Sequence, residues 1–143
     1  MHRGRMSVVL AWRHGAAKGD TGDLAGIAEL TDTTFGKLVF RASTPVLVEF
    51  WAPWAKQCIL ADPLLAEAAQ QFGGSVHFVR LNVEDNPMAA TVYGVRRLPL
   101  LILFRQGDEL DRWSGALGPE QIVERVRAAC EGGPAERGAE SAS

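Results

Sequence analysis

From Pro45 to Trp51 the chain is apolar at every position except Glu49. A short run without alternation is the pattern of a strand covered on both faces, and it marks the central strand of a sheet. Val76 to Val83 reads as a second buried strand. Between them the period changes: Leu60, Leu64, Ala68 and Phe72 recur every fourth position beside Ile59, Leu65 and Ala69, and Gly73-Gly74 closes the segment. This predicts a long amphipathic helix from Ala55 to Phe72, kinked near Pro63. A strand–helix–strand unit of this kind implies parallel strands.

The flanks extend the pattern. Leu24 to Leu30 predicts a short strand, and Thr31 or Asp32 can cap a helix from about Thr34 to Arg41, which Ser43-Thr44-Pro45 ends. Asp85-Asn86-Pro87 opens a short helix that Gly94 ends. Leu100 to Phe104 and Leu110 to Trp113, on either side of Gln106-Gly107, read as an antiparallel hairpin. Gly118-Pro119-Glu120 starts a last helix with Ile122, Val126 and Cys130 on its apolar face, and Glu131-Gly132-Gly133-Pro134 stops it. The fold class is α/β, a central mixed β-sheet flanked by helices on both faces. Residues 1–22, basic up to Lys18, read as a flexible extension, residues 23–131 as the folded domain, and residues 132–143 as a disordered tail.

Composition narrows the partners. A chain of 143 residues with 47% hydrophobic content can bury a core as one domain. Its formal net charge of −2 offers no long-range positive field for nucleic acid or an acidic membrane. No apolar run approaches the roughly 18–20 residues that cross a bilayer. The stretch Ser7 to Trp12 is too short for a signal-peptide core, so a cytoplasmic location is expected. The two cysteines, Cys58 and Cys130, lie far apart, which argues against a disulfide framework and a zinc site. His2, His14 and His77 are scattered, and neither a metal nor a cofactor is expected.

Trp51-Ala52-Pro53-Trp54-Ala55-Lys56-Gln57-Cys58, at the junction of the central strand and the long helix, resembles the thioredoxin signature Trp-Ala-x-Trp-Cys-x-x-Cys with the first cysteine missing. Glu49 stands where that family has a buried acid. Pro63, Asn86-Pro87, Tyr93-Gly94, Leu98-Pro99, Phe104 with Gly107, and Gly115 follow in the family's order. The resemblance implies the thioredoxin fold and a redox centre at the helix start. There the first cysteine ionises at the helix N-terminus and attacks a substrate disulfide, and the second resolves the mixed disulfide. Here the attacking position holds Ala55, which can neither ionise nor bond sulfur, while Cys58 keeps the resolving position.

The other candidate residues take their roles from the same resemblance. Cys58 is either an inert packed thiol or a monothiol open to glutathionylation and oxidation. For Cys130 the apolar helical face favours packing. Glu49, a carboxyl inside an apolar run, must be protonated or held by a cation, with Arg80 as the expected partner. Pro99 corresponds to the family's cis-proline, which turns the preceding residue, Leu98, outward to pair with an extended substrate. Trp51, Trp54, Val95 and Leu98 are expected to form an apolar shelf, and Arg96 and Arg97 to add positive charge beside it. Gln57, Arg97 and Leu100 depart from the family's common residues at the surface a thioredoxin reductase would read.

Two functions follow. One is the disabled form of a protein-disulfide reductase, active if position 55 carries cysteine. The other is a redox-inactive, chaperone-like protein that holds peptide in the groove. The expected partners are extended protein or peptide segments and, for the reductase, a disulfide reductase that recharges it, with no nucleic acid and no membrane.

Overall fold

The computed structural model describes residues 27–142, with side chains through residue 132. Five strands form one sheet in the order β1 (Ala28–Leu30), β3 (His77–Asn82), β2 (Val46–Trp51), β4 (Leu100–Arg105), β5 (Asp108–Ser114). The apolar run read as the central strand is the middle of this sheet, parallel to β3 and antiparallel to β4. β3 is also parallel to β1, and β4 and β5 form the antiparallel hairpin. Its two-residue turn, Gln106-Gly107, has φ of 51° and 90°, the left-handed values that match the twist of paired strands. Residues 1–22, and Leu24 to Gly26 of the expected first strand, lie outside the described residues.

Because β2 is buried on both faces, it needs a layer on each side. On one face Phe35, Val39 and Ala89 pack over Val48, Phe50, Ile102 and Phe104. These come from α1 (Asp32–Phe35), the π-helical turn Gly36–Phe40 that continues it, and α3 (Pro87–Val92). On the other face Leu65, Ala68, Ile122 and Val126 pack over Leu47, Phe78, Leu101 and Leu103. These belong to α2 (Lys56–Phe72) and α4 (Pro119–Ala142). Among the described residues no helix is long and apolar enough to cross a membrane.

Three elements differ from the sequence reading. α1 starts at Asp32 instead of Thr34: Thr31 is the N-cap, with Thr34 N donating to its Oγ1 (3.2 Å) and Thr31 N donating to Thr34 Oγ1 (2.9 Å). Asp32 caps a different helix, accepting from Met88 N (3.1 Å) and Ala89 N (2.9 Å) at the start of α3. Asp32→Ala is therefore expected to lower stability by about 1–2 kcal/mol in urea denaturation, with unchanged m-value, by orphaning both donors.

In α2 the stripe facing the sheet is Cys58, Ala61, Leu65 and Ala68, and Ile59 and Leu60 point to solvent at 62% and 59% exposure. Two apolar stripes compete on this helix. The inward one carries the small residues Ala61 and Ala68, which let the helix lie close to the sheet. α2 runs through Pro63, which leaves the Ile59 carbonyl without its helical donor.

α4 continues through Gly132-Gly133-Pro134 to Ala142, where the sequence reading stops it and places a disordered tail. Pro134 brings no N–H for the carbonyl of Cys130, and the guanidinium of Arg105 donates to that carbonyl instead.

Candidate active site

The site lies where β2 gives way to α2. Ala55 is the N-cap of α2, with extended backbone (φ −89°, ψ 110°) and a side chain that caps nothing. Its N–H bonds Ala52 O at 3.1 Å, and Cys58 N bonds Ala55 O at 3.0 Å, so the turn before the helix is fixed. Cys58 is the third residue of the helix. An N-cap side chain reaches back over the third residue of its helix, so positions 55 and 58 converge by helix geometry alone. Ala52, Ala55 and Cys58 form a small apolar cluster with Trp51, Val83 and Leu98 around them.

That cluster decides the state of the thiol. Cys58 is 1% exposed, and burial pushes its pKa up to about 11, helped by the nearby acids Glu49 and Asp62 and opposed by a backbone hydrogen bond with Ala52 and by Arg80. At neutral pH it is a protonated, covered sulfur, the state of an inert thiol. The native protein is expected to react with iodoacetamide at Cys58 at least ~100-fold more slowly than the urea-unfolded chain at pH 7.5, read by mass spectrometry of the peptide carrying Cys58.

Beneath the cysteine lies an ionic group only half anticipated from sequence. Arg80 on β3 has Glu29 of β1 and Glu49 of β2 as its register partners on either side, so the three stand in one row on the same sheet face. Arg80 Nε is 3.4 Å from Glu29 Oε2 and 3.5 Å from Glu49 Oε1, and Arg80 Nη2 is 3.4 Å from Asp62 Oδ2. Asp62 follows Cys58 by one helical turn, which hangs its carboxylate over the row. The Trp51 ring lies against the guanidinium, 4.0 Å from Cζ to the ring centroid, and its Nε1 donates to Glu29 Oε1 at 3.4 Å.

Three carboxyls around one arginine cannot all ionise in a buried place. Burial pushes Glu49 up to about 8, against the pull of Arg80 and with the push of Asp62. Burial likewise raises Glu29 to about 7, again opposed by Arg80, and raises Asp62. Glu49 is thus mostly a neutral acid at pH 7, directly under the thiol.

Above the cysteine a groove of about 490 Å³ opens, lined by Trp54, Ala55, Lys56, Val83, Arg96 and Leu98 among others. Trp54 stands 64% exposed at its edge. The Leu98–Pro99 peptide bond is cis. Leu98 lines the groove, whereas Pro99 is buried beneath it and Arg97 lies outside the lining. Val95 and Arg96 both line the groove, and the chain bends at Arg97, which stays out of it. Trp51 turns under the site to Arg80 and does not contribute to the shelf. Among the described residues, Arg96, Arg97 and Leu98 enter no hydrogen bond, so three consecutive peptide groups are bare beside the groove. Lys56 lines the groove from inside the motif, whereas Val83 and Ala90 of the lining carried no sequence signal as site residues, because they come from beyond the motif and meet it only in the fold.

Comparison with known proteins places this geometry. The family model described as Thioredoxin matches residues 26–128. "Thioredoxin 1" of Nostoc sp. is 39% identical over 94 residues, covering 66% of this chain and 88% of that protein. "Thioredoxin 1" of Synechococcus elongatus is 42% identical over 90 residues, 63% of this chain and 84% of that protein. A chloroplastic M-type thioredoxin of Brassica napus is 41% identical over 92 residues, and the chain spans only 52% of its length. A family match across nearly all the described domain, joined to relatives at this level of identity, leads to one conclusion: the chain belongs to the thioredoxin family.

Proposed function

We propose that the chain is a protein-disulfide reductase of the thioredoxin type held in a disabled state by Ala55. One observation carries this reading: the N-cap of α2, where a thiolate would be stabilised by unpaired helical N–H groups, presents a methyl group, while the resolving Cys58 is intact behind it. The chain has the second half of an exchange and lacks the first, so no mixed disulfide forms for Cys58 to break. Glu49, mostly protonated at neutral pH and under the sulfur, is set to exchange a proton with Cys58 once position 55 is a thiol. No metal or cofactor enters this chemistry. Reduction of insulin disulfides in the presence of a chemical reductant should proceed at the rate of the reductant alone, and any acceleration by the chain as given would overturn the reading.

A second reading is favoured by the bare backbone of Arg96 to Leu98 beside an apolar groove. There the protein holds an extended segment as an added strand, without redox chemistry. Leu98→Asp is expected to abolish binding of an unfolded client such as reduced, carboxymethylated lactalbumin, with the melting temperature shifted by no more than about 2 °C. Retained binding would remove the groove from consideration.

A further inference from the structure

The groove is charged as well as apolar, and its charge has one sign. Lys56, at the first turn of α2, and Arg96, after α3, both line it, and no carboxylate does. This runs against the whole chain, whose formal net charge is −2. Glu84 and Asp85 follow the lining residue Val83 along the chain but stay out of the groove, and Asp85 accepts from Asn82 Nδ2 at 3.4 Å. Lys56, Arg96 and the neighbouring Arg97 are exposed and have no ion-pair partner among the described residues. Elsewhere among the described residues Arg80 pairs with three acids, Arg112 with Glu109 and Arg125 with Asp111, whereas Lys37, Arg41, Arg105 and Arg127 also have no ion pair. Three cations without ion pairs stand where Trp54, Val83 and Leu98 supply apolar contact and the Arg96–Leu98 backbone supplies free donors and acceptors.

We propose that the groove selects extended protein segments in which an apolar residue is flanked by acidic side chains, with Lys56 and Arg96 reading the carboxylates. This rests on the reading that the groove receives an extended segment, and adds what distinguishes one segment from another. The apolar residue sits against Trp54 and Leu98. In an extended strand the side chains before and after it leave the groove floor, and glutamate or aspartate there curves back to the rims, where the two cations stand on α2 and on the loop after α3. Exposed ion pairs contribute about 0.2–1 kcal/mol each, so two of them give roughly a two- to thirtyfold preference, weakened by salt.

The test uses three unstructured twelve-residue peptides with a single central Leu flanked on both sides by Glu, by Gln or by Lys, titrated against the full chain with tryptophan fluorescence or peptide anisotropy as the readout. At 50 mM salt the Glu peptide is expected to bind three- to tenfold more tightly than the Gln peptide, the Lys peptide most weakly, and the difference to shrink at 300 mM. The double variant Lys56→Gln/Arg96→Gln should bring the Glu peptide to the affinity of the Gln peptide, with an unchanged melting curve. Equal binding of Glu and Gln peptides overturns the charge selection and leaves the groove as a peptide site. A Glu preference that survives in the double variant overturns the assignment to these two residues. No binding of any peptide at millimolar concentration overturns this inference together with the groove reading it rests on.

Discussion

Ala55→Cys is expected to convert the chain into a reductase that accelerates insulin disulfide reduction by about two orders of magnitude over the chemical reductant, some 3 kcal/mol of barrier. The new sulfur would occupy the N-cap of α2, where the first helical N–H groups and the helix dipole favour its thiolate. It would also lie over Cys58, the third helical residue, so that the mixed disulfide forms within reach of the resolving sulfur. The covered thiol at pKa about 11 must lose its proton to act, and the ionised fraction of Glu49, whose pKa is near 8, is the base that takes it. Two controls follow. Ala55→Cys/Cys58→Ser should stop at a stable mixed disulfide with substrate, visible by mass, and Ala55→Cys/Glu49→Gln should be slowed most at the resolving step. An inactive Ala55→Cys variant with an unchanged melting curve would sink the disabled-reductase reading.

The second large effect is on stability and its pH dependence. Glu29 near 7 and Glu49 near 8 both lie above the ordinary carboxyl value of 4.5, so the folded state holds their protons more tightly than the unfolded chain does. Their contribution is fully present below about pH 4.5 and is lost as pH rises through 7 and 8. Urea denaturation at pH 5, 7 and 9 should show this decline, and a flat profile would contradict it. Arg80→Met removes the only cation of the row. At pH 9 it should cost about 3–5 kcal/mol, because the carboxylates it leaves are buried without their counterion. At pH 5, where Glu29 and Glu49 are protonated, the cost should be smaller, and an equal cost at both pH values would show that Arg80 matters through packing alone.

Most of the scaffold is written locally in the sequence. The unbroken apolar run around Glu49, the change of period after Trp54, and the Gln106-Gly107 turn each specify one element without reference to the others. The motif itself is also local: the converging pair 55 and 58 follows from a helix start. What could not be read was decided by competition between elements. Leu60 and Cys58 lie on rival faces of α2, and only the sheet beneath chooses between them. Glu29 and Asp62 gave no signal as members of the ionic group, since their meeting with Arg80 depends on the register of β1 with β3 and on the height of α2 above it. Arg96 and Arg97 are equivalent in sequence, and only the bend of the chain at Arg97 separates groove wall from open surface.

The ionic row has a consequence for how the sheet finds its alignment. Glu29, Arg80 and Glu49 face one side of three adjacent strands, while Ala28, Leu30, Val48, Phe50, Val79 and Leu81 face the other, in the core beside α1. If β1 slipped by a single residue along β3, Glu29 would turn into that core among Phe35 and Val39, and Arg80 would meet alanine or leucine. Among the described residues the first strand has three with which to choose its position, too few for hydrophobic contact alone to make the choice sharp. One misplaced carboxylate makes every neighbouring alignment costly, so the same charges that weaken the sheet at high pH act as its registration mark.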